Sequence, residues 1–576
     1  MYITNKKTRV LVFYILACSI FAPSPTLLAQ TADLILRNGQ IYTNNTNQPA
    51  AQAIAISKNK IVYVGDNEGV NRWSGEQTHT IELQGHTVIP GIIESHAHFY
   101  GLGNSKQNLD LSKIASYNEL VEKVSAAIAQ ASPGDWIVGR GWHQSKWNPP
   151  AKPLINGFQT HQQLSEVSPN NPVYLVHASG HAAFANAKAM AIAGIDTNSA
   201  FNDGGEIIKD ANNQPTGIFT ENASELIARH IGAPSSQQRQ RAYELAMDEA
   251  LRFGITSFHD AGSSRQDLQA FNKLGEQGLL RIRLYAMLDG HDTALVNEWL
   301  QKKPAIGLYN NHLTVRAIKM WADGALGSRG AWLLEDYSDR PHHRGSATVS
   351  MDELERVVNL AFANGYQMAV HAIGDRANRE VLDRYAKVIG DTPTSSDHRF
   401  RIEHAQHLSL DDIPRFAQLG VIASMQTIHM SSDRPWAIDR LGRKRIEDGA
   451  YVWQKLLHSG AIVVNGTDAP VEPINPFANF YAAVTRKTLA GLPQGGYEAD
   501  QKLSRQQALN SMTLAGAYAA FEEYIKGSIE VGKLADITVL SQDIMRVNES
   551  EILNTNAIMT IVDGKVVYQD RSKDWF

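Results

Sequence analysis

Short apolar runs recur through the middle of the chain, and a stretch with helical periodicity follows most of them. A strand of a parallel sheet is buried on both faces, so it reads as a continuous apolar run. Eight strand-and-helix units are the number found in a closed (β/α)8 barrel. The pattern therefore predicts an α/β fold of the TIM-barrel type with eight strands, at 87–93, 254–258, 281–287, 313–320, 366–370, 400–403, 421–425 and 461–465.

Both ends of the chain show a different pattern, in which short β-type runs are separated by turn residues. In the carboxyl-terminal part, Asp563-Gly564 between two apolar runs is typical of a hairpin turn. We expect the two ends to form one small β-sandwich domain beside the barrel. The expected domains are a β-sandwich of residues 30–87 plus 525–576 and a barrel of residues 88–524.

A long segment, about residues 99–252, separates the first two predicted barrel strands. A loop of that length is rare in a compact domain, and β-type runs occur within it at 136–139 and 172–176. We therefore expect a folded insertion after strand 1. Because the chemistry of such barrels collects at the carboxyl ends of the strands, we expect the insertion to cap the site.

Residues 1–29 have the order of a secretory signal, with basic residues first, then the apolar run 10–22, then small residues. We expect a signal peptide over 1–29 and export to the periplasm or the medium. The single cysteine, Cys18, lies in this segment, so the mature chain would have no disulfide bond and no thiolate ligand. The alternative is lipoprotein anchoring through Cys18, because residues 15–18 are similar to a lipoprotein processing box.

Net charge and the length of the apolar run argue against two classes of protein, nucleic-acid-binding and integral membrane proteins. The net charge of −5 comes from 54 basic and 59 acidic side chains, which gives no basic field for nucleic acid. The run 10–22 is shorter than the roughly 20 apolar residues of a spanning helix, and no later segment replaces it. We therefore expect neither nucleic-acid binding nor an integral membrane segment in this 576-residue chain.

The first predicted barrel strand leads into His96-Ala-His98. Residues two apart on an extended backbone point the same way, so both imidazoles can meet one ion. Imidazole nitrogen suits zinc and related divalent metals. Two such histidines alone are equally consistent with loop or packing roles. Their place after an apolar run and Pro90-Gly91 favours the metal interpretation.

Further candidate ligands follow other predicted strands, with His371 after the fifth, His404 after the sixth and Asp468 after the eighth. One histidine after a strand is more often structural, but several at the same end of a barrel are difficult to explain by packing. An aspartate there can bind metal and also accept a proton from a bound water.

Lys319 lies near the end of the apolar fourth run. A buried ammonium group needs a partner, and it cannot coordinate a cation. Two explanations are open at this point. Lys319 either pairs with a carboxylate such as Asp323, or it has been chemically converted into a ligand.

Six motifs along the chain together resemble the amidohydrolase superfamily, and in particular its amidohydrolase 3 branch of N-substituted formamide deformylase-like and exoenzyme regulatory protein-like members. The motifs are Pro90-Gly-Ile-Ile-Glu-Ser-His-Ala-His98, Gly254-Ile-Thr-Ser-Phe-His-Asp-Ala-Gly262, Lys319-Met-Trp-Ala-Asp-Gly-Ala-Leu-Gly-Ser-Arg329, His371-Ala-Ile-Gly-Asp-Arg376, Ile402-Glu-His404 and Gly466-Thr-Asp-Ala-Pro-Val-Glu472. Three residues depart from the usual pattern: Glu94 replaces aspartate, Thr467 replaces serine, and Ser179 replaces the aspartate of Asp-Gly-His.

The resemblance implies a terminal β-sandwich, the barrel and a centre of one or two divalent metal ions, expected to be zinc. It implies His96, His98 and Asp468 on one ion, and His371 and His404 on a second. It also implies that Lys319, carboxylated by carbon dioxide, bridges both ions.

These features predict an enzyme, a metal-dependent hydrolase that cleaves a carbon–nitrogen amide-type bond outside protein backbones. Metal-activated water would attack a small N-acyl or N-formyl substrate, and Asp468 would be the catalytic base. The expected partners are this small-molecule amide and, as an open alternative, a second copy of the chain in a homodimer. The candidate substrate-binding residues, several of which packing would also explain, are Trp142, His143, His181, Trp321, Arg329 and His429.

Two alternative functions are open. An N-acyl amino acid or dipeptide amidase of the same fold would use an arginine, such as Arg329 or Arg376, to clamp a substrate carboxylate. A secreted regulatory or binding protein could keep the barrel without catalysis, since fold does not dictate function.

Overall fold

The computed structural model describes residues 1–2, 31–390 and 397–576. The predicted signal peptide, apart from its first two residues, lies outside the described residues, and so does Cys18. Export and lipoprotein processing therefore stay predictions.

Short strands begin the described part of the chain, and they belong to two sheets. They are β1 (Leu34–Arg37), β2 (Gln40–Tyr42), β3 (Ala50–Ala51), β4 (Ala53–Ser57), β5 (Lys60–Gly65), β6 (His79–Glu82) and β7 (Thr87–Pro90). One sheet has the strand order β5-β4-β1-β6, while β3, β2 and β7 are neighbours in the other.

The first barrel strand is β8 (Ile92–Ala97), after which the chain forms a separate six-stranded sheet with the order β13-β14-β12-β11-β10-β9. Its strands are β9 (Leu109–Asp110), β10 (Ile137–Trp142), β11 (Val173–His177), β12 (Ala182–Ala185), β13 (Ile207–Lys209) and β14 (Pro215–Thr220). Helices of this region are α1 (Phe99–Ser105), α2 (Tyr117–Ile128), α3 (Gln162–Val167), α4 (Ala187–Ile192), α5 (Glu225–Ala228) and α6 (Ser236–Arg252). The large insertion after strand 1 therefore has its own sheet.

The barrel continues with β15 (Ile255–Ser263), β16 (Arg283–Asp289), β18 (Leu313–Trp321), β19 (Gln367–Ala372), β20 (Arg401–His404), β21 (Ile422–Met425) and β22 (Val463–Asn465). These pair in parallel in chain order, and the short β17 (Ala305–Gly307) joins β18 antiparallel. Two hydrogen bonds link the last segment to the first strand, from Asp468 N–H to His96 C=O and from His98 N–H to Ala469 C=O, both 2.8 Å. The predicted eight-stranded α/β barrel is confirmed.

Helices alternate with the barrel strands and follow the last of them. They are α7 (Arg265–Glu276), α8 (Thr293–Leu300), α9 (Leu308–Asn311), α10 (Met351–Asn364), α11 (Asp375–Ile389), α12 (Ile413–Leu419), α13 (Thr427–Gly449), α14 (Trp453–His458), α15 (Pro476–Thr485), α16 (Arg505–Ser511) and α17 (Leu514–Ala519). No helix in the described ranges combines the length and apolar character needed to cross a membrane.

The chain ends in β23 (Ile537–Leu540), β24 (Ala557–Val562) and β25 (Lys565–Gln569). These strands extend the sheet of β7, giving the order β25-β24-β23-β7-β2-β3. Asp563 and Gly564 form the two-residue hairpin between β24 and β25, with φ values of 56° and 75°. Both positive values suit a type I′ turn, so the predicted hairpin and the shared β-domain of both termini are confirmed.

The predicted first strand, 87–93, is in fact divided between two sheets. Its first half is β7, which pairs antiparallel with β23, and the barrel strand begins only after Gly91. A Cβ atom at Gly91 would collide with the side chain of Thr256, so only glycine lets the backbone pass this closely. The apolar pattern could not show this division because residues on both sides of Gly91 are buried.

A buried ion pair joins the barrel to the β-domain. Arg283 donates from Nε and Nη2 to the two carboxylate oxygens of Asp536, at 2.7 and 2.9 Å. Burial alone would raise the pKa of Asp536, but the Arg283 guanidinium holds it below its usual range. The bidentate pair is one of the contacts that link the two domains.

Replacing Asp536 with asparagine should lower the free energy of unfolding by about 3 kcal/mol, because a buried guanidinium loses its bidentate partner and keeps only one carboxylate contact, of 3.2 Å with Asp563. Since the pair needs the ionised carboxylate, its contribution is complete above pH of about 4 and is lost as pH falls through the depressed pKa. Urea titration followed by circular dichroism should therefore show the difference between Asp536→Asn and wild type shrinking in acid.

The matched control is Asp248→Asn, whose ion pair with Arg281 is exposed. This change should alter stability by less than about 1 kcal/mol. Equal effects of the two substitutions would contradict the role assigned to the Arg283–Asp536 pair.

Candidate metal centre

The candidate ligands from the sequence converge at the carboxyl end of the barrel. Five barrel strands, β8, β18, β19, β20 and β22, bring them there. The residues are His96, His98, Lys319, His371, His404 and Asp468.

Asp468 lies at the centre of this group. Its Oδ1 is 3.1 Å from Nε2 of His98 and 3.5 Å from Nε2 of His96. The imidazole ring of His404 lies 4.8 Å from that of His96 and 4.5 Å from that of His371, centroid to centroid. Ligand atoms of His96, His404 and Asp468 all lie within 4.8 Å of one another, and these three residues can hold one divalent ion.

Unsatisfied buried atoms support this interpretation. Among the residues that the structure describes, Nε2 of His96, Nε2 of His371, Oδ1 of Asp468 and Nζ of Lys319 are buried without a hydrogen-bond partner. Buried polar atoms nearly always have partners, so this concentration needs an explanation. Burial lowers the pKa of His96 to about 4, which keeps the imidazole in the neutral form that binds metals. The donor set fits a divalent cation.

The ring of His96 is oriented by a carboxylate inside the barrel. Its Nδ1 is hydrogen-bonded to Oε2 of Glu403, and Arg401 donates to both oxygens of Glu403, at 2.7 and 3.0 Å. Burial opposes ionisation, but Arg401 and His96 hold the pKa of Glu403 well below its usual range. The ionised carboxylate thus accepts a hydrogen bond from Nδ1–H of His96, which leaves Nε2 free to face the site.

Arg401 is itself held by neighbouring strands. Its Nη2 donates to the carbonyl of Ser95 at 2.6 Å and to the hydroxyl of Ser424 at 2.8 Å, and Nη1 lies 3.1 Å from Nδ1 of His259. Sequence reasoning missed Arg401 and Glu403 as functional residues. The sequence did contain a signal for these roles, since two charged residues stand two apart in an otherwise apolar strand. Residues at that spacing point to the same side, so both can face the barrel interior.

Two of the unusual residues in the sequence contact each other. The hydroxyl of Thr467 donates to Glu94 at 2.7 Å, and the backbone N–H of Thr467 donates to the same carboxylate. Burial raises the pKa of Glu94 to about 8. A Cβ atom at Gly466 would collide with Glu94, so the chain passes tightly here. This contact fixes the loop that carries Asp468.

Burial affects the pKa values of both Asp468 and Lys319. Burial opposes ionisation of Asp468, but the neighbouring imidazoles of His98 and His404 keep its pKa well below the usual range. Burial lowers the pKa of Lys319 to about 8, and its Nζ lies 4.5 Å from the ring centroid of Trp321.

The suggested ion pair between Lys319 and Asp323 is not formed. Asp323 instead accepts hydrogen bonds of 2.8 to 3.0 Å from three backbone N–H groups, those of Trp332, Ile373 and Gly374. Its carboxylate therefore organises the loops beside His371. The amine of Lys319 stays without a partner among the described side chains.

Three of the predicted substrate-binding residues line the cavity beside the centre, namely His143, His181 and His429. Nε2 of His429 is 3.7 Å from Oδ2 of Asp468, and its ring stacks on that of His404. Nδ1 of His181 is 2.6 Å from Glu221, and its ring centroid is 5.2 Å from that of His371.

Other predicted substrate-binding residues lie elsewhere. Trp142 is fully buried in the core of the insertion, where its Nε1 donates to the carbonyl of Leu175 at 2.8 Å. Arg329 is bound by Asp339 at 2.9 and 3.2 Å and borders a different groove. Trp321 lines an adjoining groove that also contains His98. Trp142 and Arg329 therefore do not line the cavity beside the metal ligands.

Comparison with known proteins agrees with this architecture. The model of the amidohydrolase family matches residues 79–568. The chain is 31% identical over 549 residues to Protein LONG AFTER FAR-RED 3 of Arabidopsis thaliana, which covers 93% of this chain and 92% of that protein. It is 27% identical over 553 residues to N-substituted formamide deformylase of Arthrobacter pascens, covering 94% and 99%.

A solved structure is also similar over most of its length. The crystal structure of an uncharacterized metal-dependent hydrolase from Pyrococcus horikoshii OT3 matches with a TM-score of 0.71 and 27% identity. The match covers 90% of this chain and 99% of that one. The similarity therefore includes the barrel, the insertion and the terminal strands together.

Substituting Glu403 with glutamine should weaken zinc binding roughly 10- to 100-fold, because the His96 ring loses the anion that orients it. Competition with a chromophoric chelator measures this affinity directly, without an activity assay. Stability should fall as well, since Arg401 loses its ion pair in the barrel interior.

The control for this experiment is Glu353→Gln, which removes an ion pair with Arg356 on the outer surface of α10. That variant should bind zinc like wild type. Zinc affinity unchanged in folded Glu403→Gln protein would contradict the orienting role of Glu403.

Proposed function

The chain belongs to the amidohydrolase family, and from this premise we propose that it hydrolyses a carbon–nitrogen amide-type bond in a small N-acyl or N-formyl compound. The main observation behind the proposal is the convergence of His96, His404 and Asp468 with unsatisfied ligand atoms. N-substituted formamide deformylase, a relative that matches almost end to end, supports the choice of bond.

The proposed ligands divide into two groups around Lys319. His96, His98 and Asp468 would hold one ion. His404, whose ligand atom lies within 4.8 Å of those of His96 and Asp468, would hold a neighbouring second ion together with His371. A divalent ion such as zinc lowers the pKa of a bound water to about 7 and polarises a carbonyl group. This chemistry suits amide hydrolysis at neutral pH.

Asp468 is placed to move the proton in this reaction. Its Oδ1 faces His96 and His98, while Oδ2 faces His429, so one carboxylate reaches both the ligand group and the cavity. We assign Asp468 the role of accepting the proton of the attacking water and returning it to the leaving nitrogen. That transfer makes the amine a neutral leaving group.

His181 is placed to bind the carbonyl oxygen of the substrate. Glu221 holds its Nδ1, which leaves Nε2 for a group in the cavity next to His371. A positioned donor at that point stabilises negative charge as it develops on oxygen. His429 on the other side of Asp468 is available to orient the amine half.

The alternative arginine clamps receive no support from the geometry. Arg329 pairs with Asp339, and Arg376 pairs with Glu380 at 3.0 Å. Neither residue lines the cavity beside the metal ligands. An amidase for substrates with a carboxylate would need a different arginine.

Lys319 is proposed to be carboxylated in the active protein. Its neutral amine would attack carbon dioxide to form a new N–C bond, with loss of one proton, and the resulting carboxylate would be a ligand. Burial without a hydrogen-bond partner gives the unmodified amine no role of its own. We also propose, from the order of residues 1–29, that the chain is exported.

The Asp468→Asn substitution should lower turnover by roughly 10²- to 10⁴-fold, because the amide cannot accept the proton. Much of the metal should remain bound, since the histidines are unchanged. The assay is hydrolysis of N-formyl, N-acetyl and N-acyl amino acid compounds by zinc- or manganese-loaded protein, with metal content measured in parallel.

Asp439→Asn is the control, because Asp439 is exposed on α13. It should hydrolyse the same substrates at the wild-type rate. Wild-type turnover by Asp468→Asn would remove Asp468 from its proposed role, and failure of metal-loaded wild type on every amide would favour a protein without catalysis.

Lys319→Ala should lose bound metal and activity together, because the proposed carboxylate ligand can no longer form at this position. Added propionate should restore part of both, since a small free carboxylate fits the space left by the side chain. Metal content after dialysis against propionate is the measurement. Rescue by propylamine and not by propionate would show that the amine itself is needed.

A further inference from the structure

Arg140 is a cation of the insertion that makes a single hydrogen bond within the described residues. Its Nη2 donates to the carbonyl of Ala178 at 3.0 Å, while its Nε is buried and has no hydrogen-bond partner. In the described part of the chain, no carboxylate forms an ion pair with this guanidinium. By contrast, Arg329 and Arg376 each form an ion pair with a carboxylate.

The guanidinium borders the cleft that contains the metal ligands. Arg140, His98 and Trp321 line one groove between the insertion and the barrel. That groove adjoins the cavity beside His371 and His404, because three residues border both. The shared residues are Ser179, His181 and Val471.

Arg140 lines this groove on the same side of β10 as Val138, and a bulge directly after it turns Trp142 into the core of the insertion. Arg140 is paired with Val176 of β11, but the next pair in register joins Trp142 to His177, so Gly141 is an extra residue. Gly141 has a φ of 111°, and a Cβ atom there would lie 2.8 Å from the backbone nitrogen of Ser112. Bulges of this kind redirect side chains beside active sites.

The unpaired cation has a physical consequence. Burial lowers the pKa of Arg140 only to about 10, so the side chain is charged at neutral pH. A desolvated guanidinium is unfavourable unless an anion meets it, and its planar donors match the two oxygens of a carboxylate. The carboxylate of Asp468 attracts this charge without pairing with it, and a bound cation would neutralise Asp468.

Lys146 is the other cation that lines the cleft, and it is a weaker candidate. Its Nζ lies 3.8 Å from Glu472, and its side chain is substantially exposed. An exposed, paired ammonium contributes little to the binding of an anion. The geometry therefore favours Arg140.

We propose that Arg140 forms a carboxylate subsite, and that the substrate carries its carboxylate on the amine half, as an N-formyl or N-acyl amino acid does. The inference rests on the proposed function for the position of the scissile amide. The carboxylate lies in the groove against Arg140, and the amide lies between His98 and His181. Arg140 is a specificity residue and takes no part in proton transfer.

The test compares two achiral substrates, N-formylglycine and N-formylglycinamide, which differ only in the carboxylate. Zinc-loaded wild type should favour N-formylglycine in kcat/KM, and Arg140→Gln should reduce this preference roughly 10- to 100-fold. The rate on N-formylglycinamide should change by less than about twofold in the variant, because the neutral amide does not use the charge. Arg140→Lys should retain part of the preference.

A binding measurement separates this inference from the proposed function. N-methylsulfonylglycine has no carbonyl to hydrolyse next to its nitrogen, and calorimetry should show that it binds wild type more tightly than its amide does. The difference should disappear in Arg140→Gln and persist in the control Arg356→Gln, which alters an exposed residue of α10. Zinc content should be equal in all variants.

Wild type that binds the acid and the amide equally would overturn the subsite, whether or not the Arg140 variants fold. A preference for the acid that persists in Arg140→Gln would overturn the subsite as well. If no formyl compound is hydrolysed but the analogue binds through Arg140, the subsite stands and the proposed function fails.

Discussion

The site depends on an ion pair in the interior of the barrel. Arg401 and Glu403 lie on the same strand, fully buried, and the carboxylate of Glu403 also accepts from His96. A buried charge pair is tolerated only when its remaining donors and acceptors are satisfied. Ser95, Ser424 and His259 supply those contacts from three other strands. The ring of His96 is thereby held by the same interactions that hold the strands together.

Buried charges elsewhere in the chain divide into two kinds. Arg283 and Asp536 form a bidentate pair that joins the barrel to the β-domain, and such pairs are structural. The ligand atoms around Asp468 and the guanidinium of Arg140 have no comparable partner and face one cleft. Unpaired buried charge is unfavourable in isolation, so its concentration in a cleft indicates ligands that are charged themselves.

Much of the fold could be predicted because parallel strands are buried on both faces and leave continuous apolar runs. The pair His96 and His98 could be found because strand periodicity places them on one side. The roles of Arg401 and Glu403 could not, since Glu403 contacts His96 across 307 residues of sequence. The orientations of Trp142 and Arg140 could not be predicted for a related reason. The bulge at Gly141, which no local pattern predicts, turns Trp142 into the core of the insertion, while Arg140 lines the cleft.

The central claim is that divalent metal at this centre is required for amide hydrolysis, and metal stoichiometry measured together with activity tests it most directly. Purified chain analysed by inductively coupled plasma mass spectrometry should contain at least one divalent ion per molecule. Removal of the metal by a chelator should abolish hydrolysis of N-formyl compounds, and zinc or manganese should restore it. Less than one ion per molecule, together with no amidase activity after reconstitution, would contradict the account.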